Sequence, residues 1–126
     1  MKKEILSVCM ILVMLLASLL NIRYLKNLTD EMSRLVEESV QATETEDWEL
    51  AEVCAEQAKN RWNSIDGYTH VVLRHSEIDT VSDALYEFVS GVYDRNQAEA
   101  KVCAEKVIYH LDSIYKMEQV RFGSVF

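Results

Sequence analysis

Three cysteines and three histidines supply the soft and titratable groups of this 126-residue chain. Two of the cysteines stand in one repeated tetrapeptide, Val53-Cys54-Ala55-Glu56 and Val102-Cys103-Ala104-Glu105. Two thiols can form a disulfide, hold a soft metal or act as a redox pair. A disulfide suits an oxidising compartment, and it needs α-carbons within about 7 Å. Neither cysteine belongs to a C-x-x-C pair, so zinc or thioredoxin-like chemistry lacks support. The expected role of Cys54 and Cys103 is that of small, partly buried packing residues.

The histidines are His70, His75 and His110. His75 has Asp79 one helical turn later, with Glu77 close by. His75 and Asp79 would make two metal ligands or an acid–base pair. A histidine on the inner phase of a helix, near Val71 and Ile78, is more often a core residue held by one hydrogen bond. That is the expectation for His75. The chain has no H-E-x-x-H, no G-x-S-x-G and no glycine-rich phosphate loop. No catalytic, cofactor-binding or metal-ligating residue is therefore assigned, and no cofactor is expected.

These groups must be positioned by helices. There is no proline, and the three glycines are Gly67, Gly91 and Gly123. Proline and glycine punctuate strands and turns, so their scarcity predicts long helices. Overlaying Asp47–Ile65 on Asn96–Ile114 gives seven identities in nineteen positions at an offset of 49. Trp48, Ala51, Ala55, Ala58, Trp62 and Ile65 recur at alternating steps of three and four. Ala100, Ala104, Val107, Leu111 and Ile114 keep that rhythm. So do Leu25, Leu28, Met32 and Leu35, and Ile78, Val81, Leu85, Phe88 and Val92. Sustained 3-4 spacing predicts amphipathic helices packed nearly antiparallel. The expected fold is all-α, an N-terminal transmembrane helix followed by an antiparallel four-helix bundle built from two similar hairpins. Hairpin 1 spans about 27–66 and hairpin 2 about 68–115, with a tail over 116–126 that loses helical rhythm. Gly67 is expected to end the second bundle helix in a left-handed stop. Tyr68–Tyr93 is expected as the third bundle helix, with room for an irregular start.

Residues 1–26 form the expected membrane anchor with a short basic tail. Ile5–Ile22 would make a helix about 27 Å long, close to the hydrocarbon core of about 30 Å. No A-x-A-like cleavage site follows the apolar run, so an uncleaved anchor is expected rather than a signal peptide. Cys9 reads as a lipid-facing thiol. Lys2 and Lys3 precede the span, while Arg23, Lys26 and Arg34 follow it. The short basic start favours an extracytoplasmic soluble domain. Asn27-Leu28-Thr29 has the form of a glycosylation acceptor, read as coincidence in a helix beside the membrane.

Residues 27–126 carry nine basic and twenty acidic side chains, a formal net charge of −11. Glu37–Glu56 holds eight acidic residues and no basic one. Such a surface repels phosphate backbones, so nucleic acid is not an expected partner. No D-x-[DN]-x-[DN]-G calcium loop occurs. Trp48 and Trp62 share one face and read as core anchors, with a partner-docking groove as the alternative.

Glu46-Asp47-Trp48-Glu49 leading to Ala51, then Trp62, His75-Ser76-Glu77-Ile78-Asp79 and the ending Ser124-Val125-Phe126 resemble domain-of-unknown-function family 4363 (DUF4363). The resemblance implies a small membrane-anchored protein of clostridia or related Gram-positive bacteria. It implies no activity and carries over no catalytic residue. The expected function is that of an uncharacterised single-pass membrane protein, a non-enzymatic interaction module. It is tethered to the bilayer through residues 5–22 and binds another membrane or envelope protein. The acidic Glu37–Glu56 edge and the apolar tail (Val120, Phe122, Val125, Phe126) are the expected binding surfaces. The alternative is a metal or redox sensor using His75/Asp79 or Cys54/Cys103. A hydrolase with an unrecognised site comes third.

Overall fold

The 3-4 spacing of apolar residues becomes helix throughout the computed structural model, which describes residues 1–125. Among these residues there are five helices and no strand: α1 (Lys2–Glu44), α2 (Trp48–Ser64), α3 (Asp66–Val72), α4 (His75–Tyr93) and α5 (Gln97–Val125). No glycine or proline interrupts α1 across its 43 residues. At 1.5 Å per residue it is about 65 Å long. Its first half is apolar and exposed, and it is long and apolar enough to cross a membrane. From Leu25 onward one stripe of the same helix is buried.

The second half of α1, with α2, α4 and α5, makes the four-helix bundle. Both α1 and α4 pack against α2 and α5. This puts α1 diagonal to α4, and α2 diagonal to α5. Short connections make sequential neighbours antiparallel. The predicted seams are the core. Leu25, Leu28, Met32, Ala51, Ala55, Ala58, Val81, Leu85, Phe88, Ala100, Val107 and Leu111 are all essentially inaccessible. Alanines over the middle turns of α2 and the first half of α5 let the neighbouring helices approach closely. Trp62 fills the far end of the α2 seam and donates its indole N–H to Ser82 Oγ at 2.9 Å. Trp48, at the near end, is only half-buried.

The two hairpins match at the level of single hydrogen bonds. In the first turn the Thr45 N–H reaches the Gln41 carbonyl, Glu46 reaches Thr43, and Asp47 reaches Ala42. In the second, Asp94 reaches Ser90, Arg95 reaches Val92, and Asn96 reaches Gly91. Each of these pairs is offset by 49 residues from its counterpart. Asp47 Oδ1 caps α2 by accepting the Leu50 N–H at 3.2 Å, and Asn96 Oδ1 caps α5 through Glu99 at the same distance.

Three expectations about the elements are corrected. Tyr68–Tyr93 is not one helix, because the backbone extends at Leu73 and Arg74 between α3 and α4. That step sends the Leu73 side chain into the core, and Glu77 restarts the helix by accepting the Arg74 N–H at 3.3 Å. Gly67 is not a left-handed stop. The α2 helix ends at Ser64 with buried Ile65 as its cap, and Gly67 lies inside α3 without a positive φ. Finally, residues 116–125 are helical rather than an irregular tail. There α5 extends past the start of α4 and lies against α1 and the short α3, so packing between two long helices no longer imposes a seam rhythm on the sequence. The expected docking of the Val125 and Phe126 side chains lies outside the described residues.

Candidate functional site

Cys54 and Cys103 are both buried and both free. They sit on diagonal helices and turn to opposite flanks. Cys54 has Glu38 and Arg34 of α1 as its charged neighbours, whereas Cys103 has Glu87 of α4 and Lys106 of α5. A bond between them, left open by the sequence, is absent from this arrangement. Burial raises the pKa of both thiols, and the nearby carboxylates add to it. Both are thus held as neutral thiols, poor nucleophiles and poor metal ligands.

His75 is not the core residue the sequence suggested. It is exposed at the first position of α4, and so is Asp79. The cause is the break at Leu73, which ends α3 and resets the helical phase. Leu73 and Ile78 take the interior positions instead. His75 meets His70 edge-on, with ring centroids 5.5 Å apart. His70 Nδ1 lies 2.7 Å from the Asp66 carbonyl oxygen and 3.2 Å from the Asp66 carboxylate. Among the described residues no three His, Cys, Asp or Glu side chains converge as a metal cage would require.

One polar grouping was not singled out from the sequence. Ser76, Glu77, Thr80, His110 and Ser113 line a groove between α4 and α5. The Thr80 hydroxyl turns back to the Ser76 carbonyl at 2.6 Å. The His110 ring packs edge-on against Tyr109. No hydrogen bond joins His110 to either serine or to Glu77 among the described residues, so the nucleophile–base contact of covalent catalysis is not formed there. Period-based reading missed this groove because its members lie beside the seams rather than on them.

The acidic edge is carried by the far end of the bundle, where both hairpin turns lie. Glu37, Glu44, Glu46, Asp47 and Glu49 are exposed, and Glu52 is half-buried. None of these six belongs to an ion pair among the described residues. Two other carboxylates of the run are engaged. Glu38 holds Arg34 at 2.9 Å, and Glu56 accepts the Tyr93 hydroxyl at 3.0 Å with Lys59 3.6 Å away. The second turn adds Asp94 and Glu99 to the same end, against Arg95 and Lys101.

At the opposite end α3 is fastened to α1. Tyr68 donates its hydroxyl to Asn21 and stacks edge-on against Tyr24, ring centroids 4.9 Å apart. Burial, with Glu118 close by, pushes the Tyr68 pKa up to about 12. Arg61 Nε donates to Glu31 at 3.2 Å and ties α2 to α1 just above this point. Thr29 of the apparent glycosylation acceptor is buried, with its hydroxyl on the Lys26 carbonyl at 3.0 Å.

Compared with known families, residues 19–125 match Domain of unknown function (DUF4363). The chain belongs to this family. In this DUF4363 chain the matched span opens within the apolar half of α1 and takes in the whole bundle with both turns. No curated protein and no solved structure matches it. The family label assigns no chemistry to any residue, so the features described above are what a function must be argued from.

Proposed function

We propose that this DUF4363 chain is a non-enzymatic interaction module, tethered to a membrane by the first half of α1. Its acidic end is held away from the bilayer for a membrane or envelope protein that presents basic side chains. The observation that carries this reading is the continuity of α1. One unbroken helix includes both the exposed apolar segment and a core stripe of the bundle. An interior stripe of the bundle that continues into the anchor keeps the domain at the membrane and fixes which end faces away. The unpaired carboxylates of that far end are a field for a cationic partner. An uncleaved anchor is supported by packing below Asn21, where Met14 and Ser18 line one crevice with Arg121 and Phe122 of α5. In the proposed orientation the bundle lies outside the cytoplasm.

The test is photo-crosslinking in cells, with the crosslinking residue placed at Glu46 or Glu49 and, as a control, at exposed Tyr109. A discrete adduct from the first two positions is expected. It should disappear when Glu44, Glu46 and Glu49 are changed together to lysine in a protein that keeps its helicity. Adducts that survive this charge reversal, or none from either position, would refute the acidic docking surface.

A further inference from the structure

The end of the bundle nearest the anchor has an arrangement that the tethering function does not require. The α5 helix is ten residues longer than α4, with 29 residues against 19. Its surplus turns run down beside the anchor, so that Glu118, Arg121 and Phe122 face Met14, Ser18, Asn21 and Ile22 across a crevice of about 290 Å³. The α3 helix lies at the same level, held by Tyr68 on Asn21. Arg121 joins the two pieces. Its Nη1 donates to Glu118 Oε1 at 2.9 Å and to the Val72 carbonyl at 3.4 Å. Together they make a foot beside the last two to three turns of the apolar span.

The surface chemistry of this foot differs from that of the far end. Val71 is 85% exposed and Val120 is 68% exposed, with no neighbour covering either. Around the foot lie Arg23, Arg74 and Arg121 against Asp66, Glu77 and Glu118, a balanced set, whereas carboxylates dominate the far end. An apolar surface of balanced charge, with arginines and tyrosines at its margin, at the depth where a span leaves hydrocarbon, is the composition of a membrane–water interface layer.

We infer that α3 and the last turns of α5 form a second membrane contact, seated in the headgroup layer of the bilayer that α1 crosses. The occupant of this surface is lipid, because the surface is continuous with the anchor and cannot be withdrawn from the bilayer while α1 remains unbroken. Val71 and Val120 dip among the headgroups, and the guanidinium groups lie at phosphate level. The inference rests on the anchor reading, and the experiment separates the two.

The full chain, with Cys9, Cys54 and Cys103 changed to alanine, is reconstituted at high dilution in phosphatidylcholine vesicles. A polarity-sensitive fluorophore is attached in turn to Val71→Cys, Val120→Cys, Leu12→Cys and Gln97→Cys. Both valines are exposed, so two independent reporters sample the foot without touching the core. Shallow nitroxide lipid should quench the 71 and 120 labels at least threefold more than the 97 label, and deep nitroxide should quench the 12 label. Quenching at 12 with none at 71 and 120 would overturn the second contact and leave the anchor standing. No quenching at 12 would overturn both. A blue shift at 71 or 120 without quenching would mean that protein covers the foot, most simply a second copy, and would also overturn the inference.

Discussion

Glu46 and Arg95, 49 residues apart, hold left-handed backbone at the same position of two equivalent turns, with φ of 60° and 54°. Neither is glycine, although glycine adopts this region without steric cost. Glu46→Gly and Arg95→Gly are each expected to stabilise the bundle by about 0.5 kcal/mol, after allowing for the greater freedom of glycine in the unfolded chain. Valine at either position should destabilise it by at least about 1 kcal/mol, since branching at Cβ worsens the clash. Thermal unfolding of the four variants provides the comparison.

Gly91 marks where the second hairpin closes more tightly than the first. A Cβ added there would lie 3.2 Å from the Ala100 backbone nitrogen, while its counterpart in the first hairpin is Ala42. Helix propensity alone would make Gly91→Ala stabilising by about 1 kcal/mol. Contact with backbone rather than a mobile side chain should reverse the sign, giving a net loss of roughly 1 kcal/mol. A denaturant midpoint that rises for Gly91→Ala would contradict this close approach.

Cys54 and Cys103 should react with a thiol-specific maleimide at pH 7.5 at least tenfold more slowly than in the unfolded chain. Their neutral forms are favoured in the fold, so the associated stability is present below the ordinary thiol pKa of 9.0 and is lost as pH rises through the raised values. Replacing both with alanine should flatten the fall of melting temperature above pH 9. Reductant should leave the melting curve of the parent unchanged, because the two thiols lie on opposite flanks.

Tyr68→Phe removes the donor to Asn21 while keeping the ring against Tyr24. The expected cost is about 1 kcal/mol. Its signature is local, with faster amide exchange in α3 and at the Leu73–Arg74 link than in α4. Uniform loss of protection across all helices would mean that α3 is not a separately fastened element.

Seam residues were legible in sequence because each bundle helix buries one stripe, and burial of a stripe forces 3-4 spacing. The hairpin repeat was legible because Ala51, Val53–Glu56 and Ser64–Ile65 return unchanged 49 residues later on the same helical rhythm. The break at Leu73 was not, since neither proline nor glycine marks it. One buried leucine and the Glu77 carboxylate produce it instead, and the error in placing His75 followed from that missed change of phase. The helical end of α5 was also hidden. Its surplus turns lie past the start of α4, against the first half of α1 and the short α3, so Lys116–Ser124 has no seam period to read. Of the candidate surfaces, the acidic run was plain in the sequence, but its gathering with Asp94 and Glu99 depends on the two turns sharing one end.

The continuity of α1 has a mechanical consequence. In the proposed membrane-anchored setting, a helix without a break would make the bundle a lever whose fulcrum lies at the bilayer surface. From Ile22 to Glu44 the arm is roughly 33 Å. Transmembrane helices commonly tilt by about 20°, and changes in bilayer thickness alter that tilt. A swing of that size would carry the acidic tip sideways by about 11 Å, more than the Debye length of about 8 Å at physiological ionic strength. Bilayer thickness would thereby set whether the tip lies within electrostatic reach of a fixed neighbour.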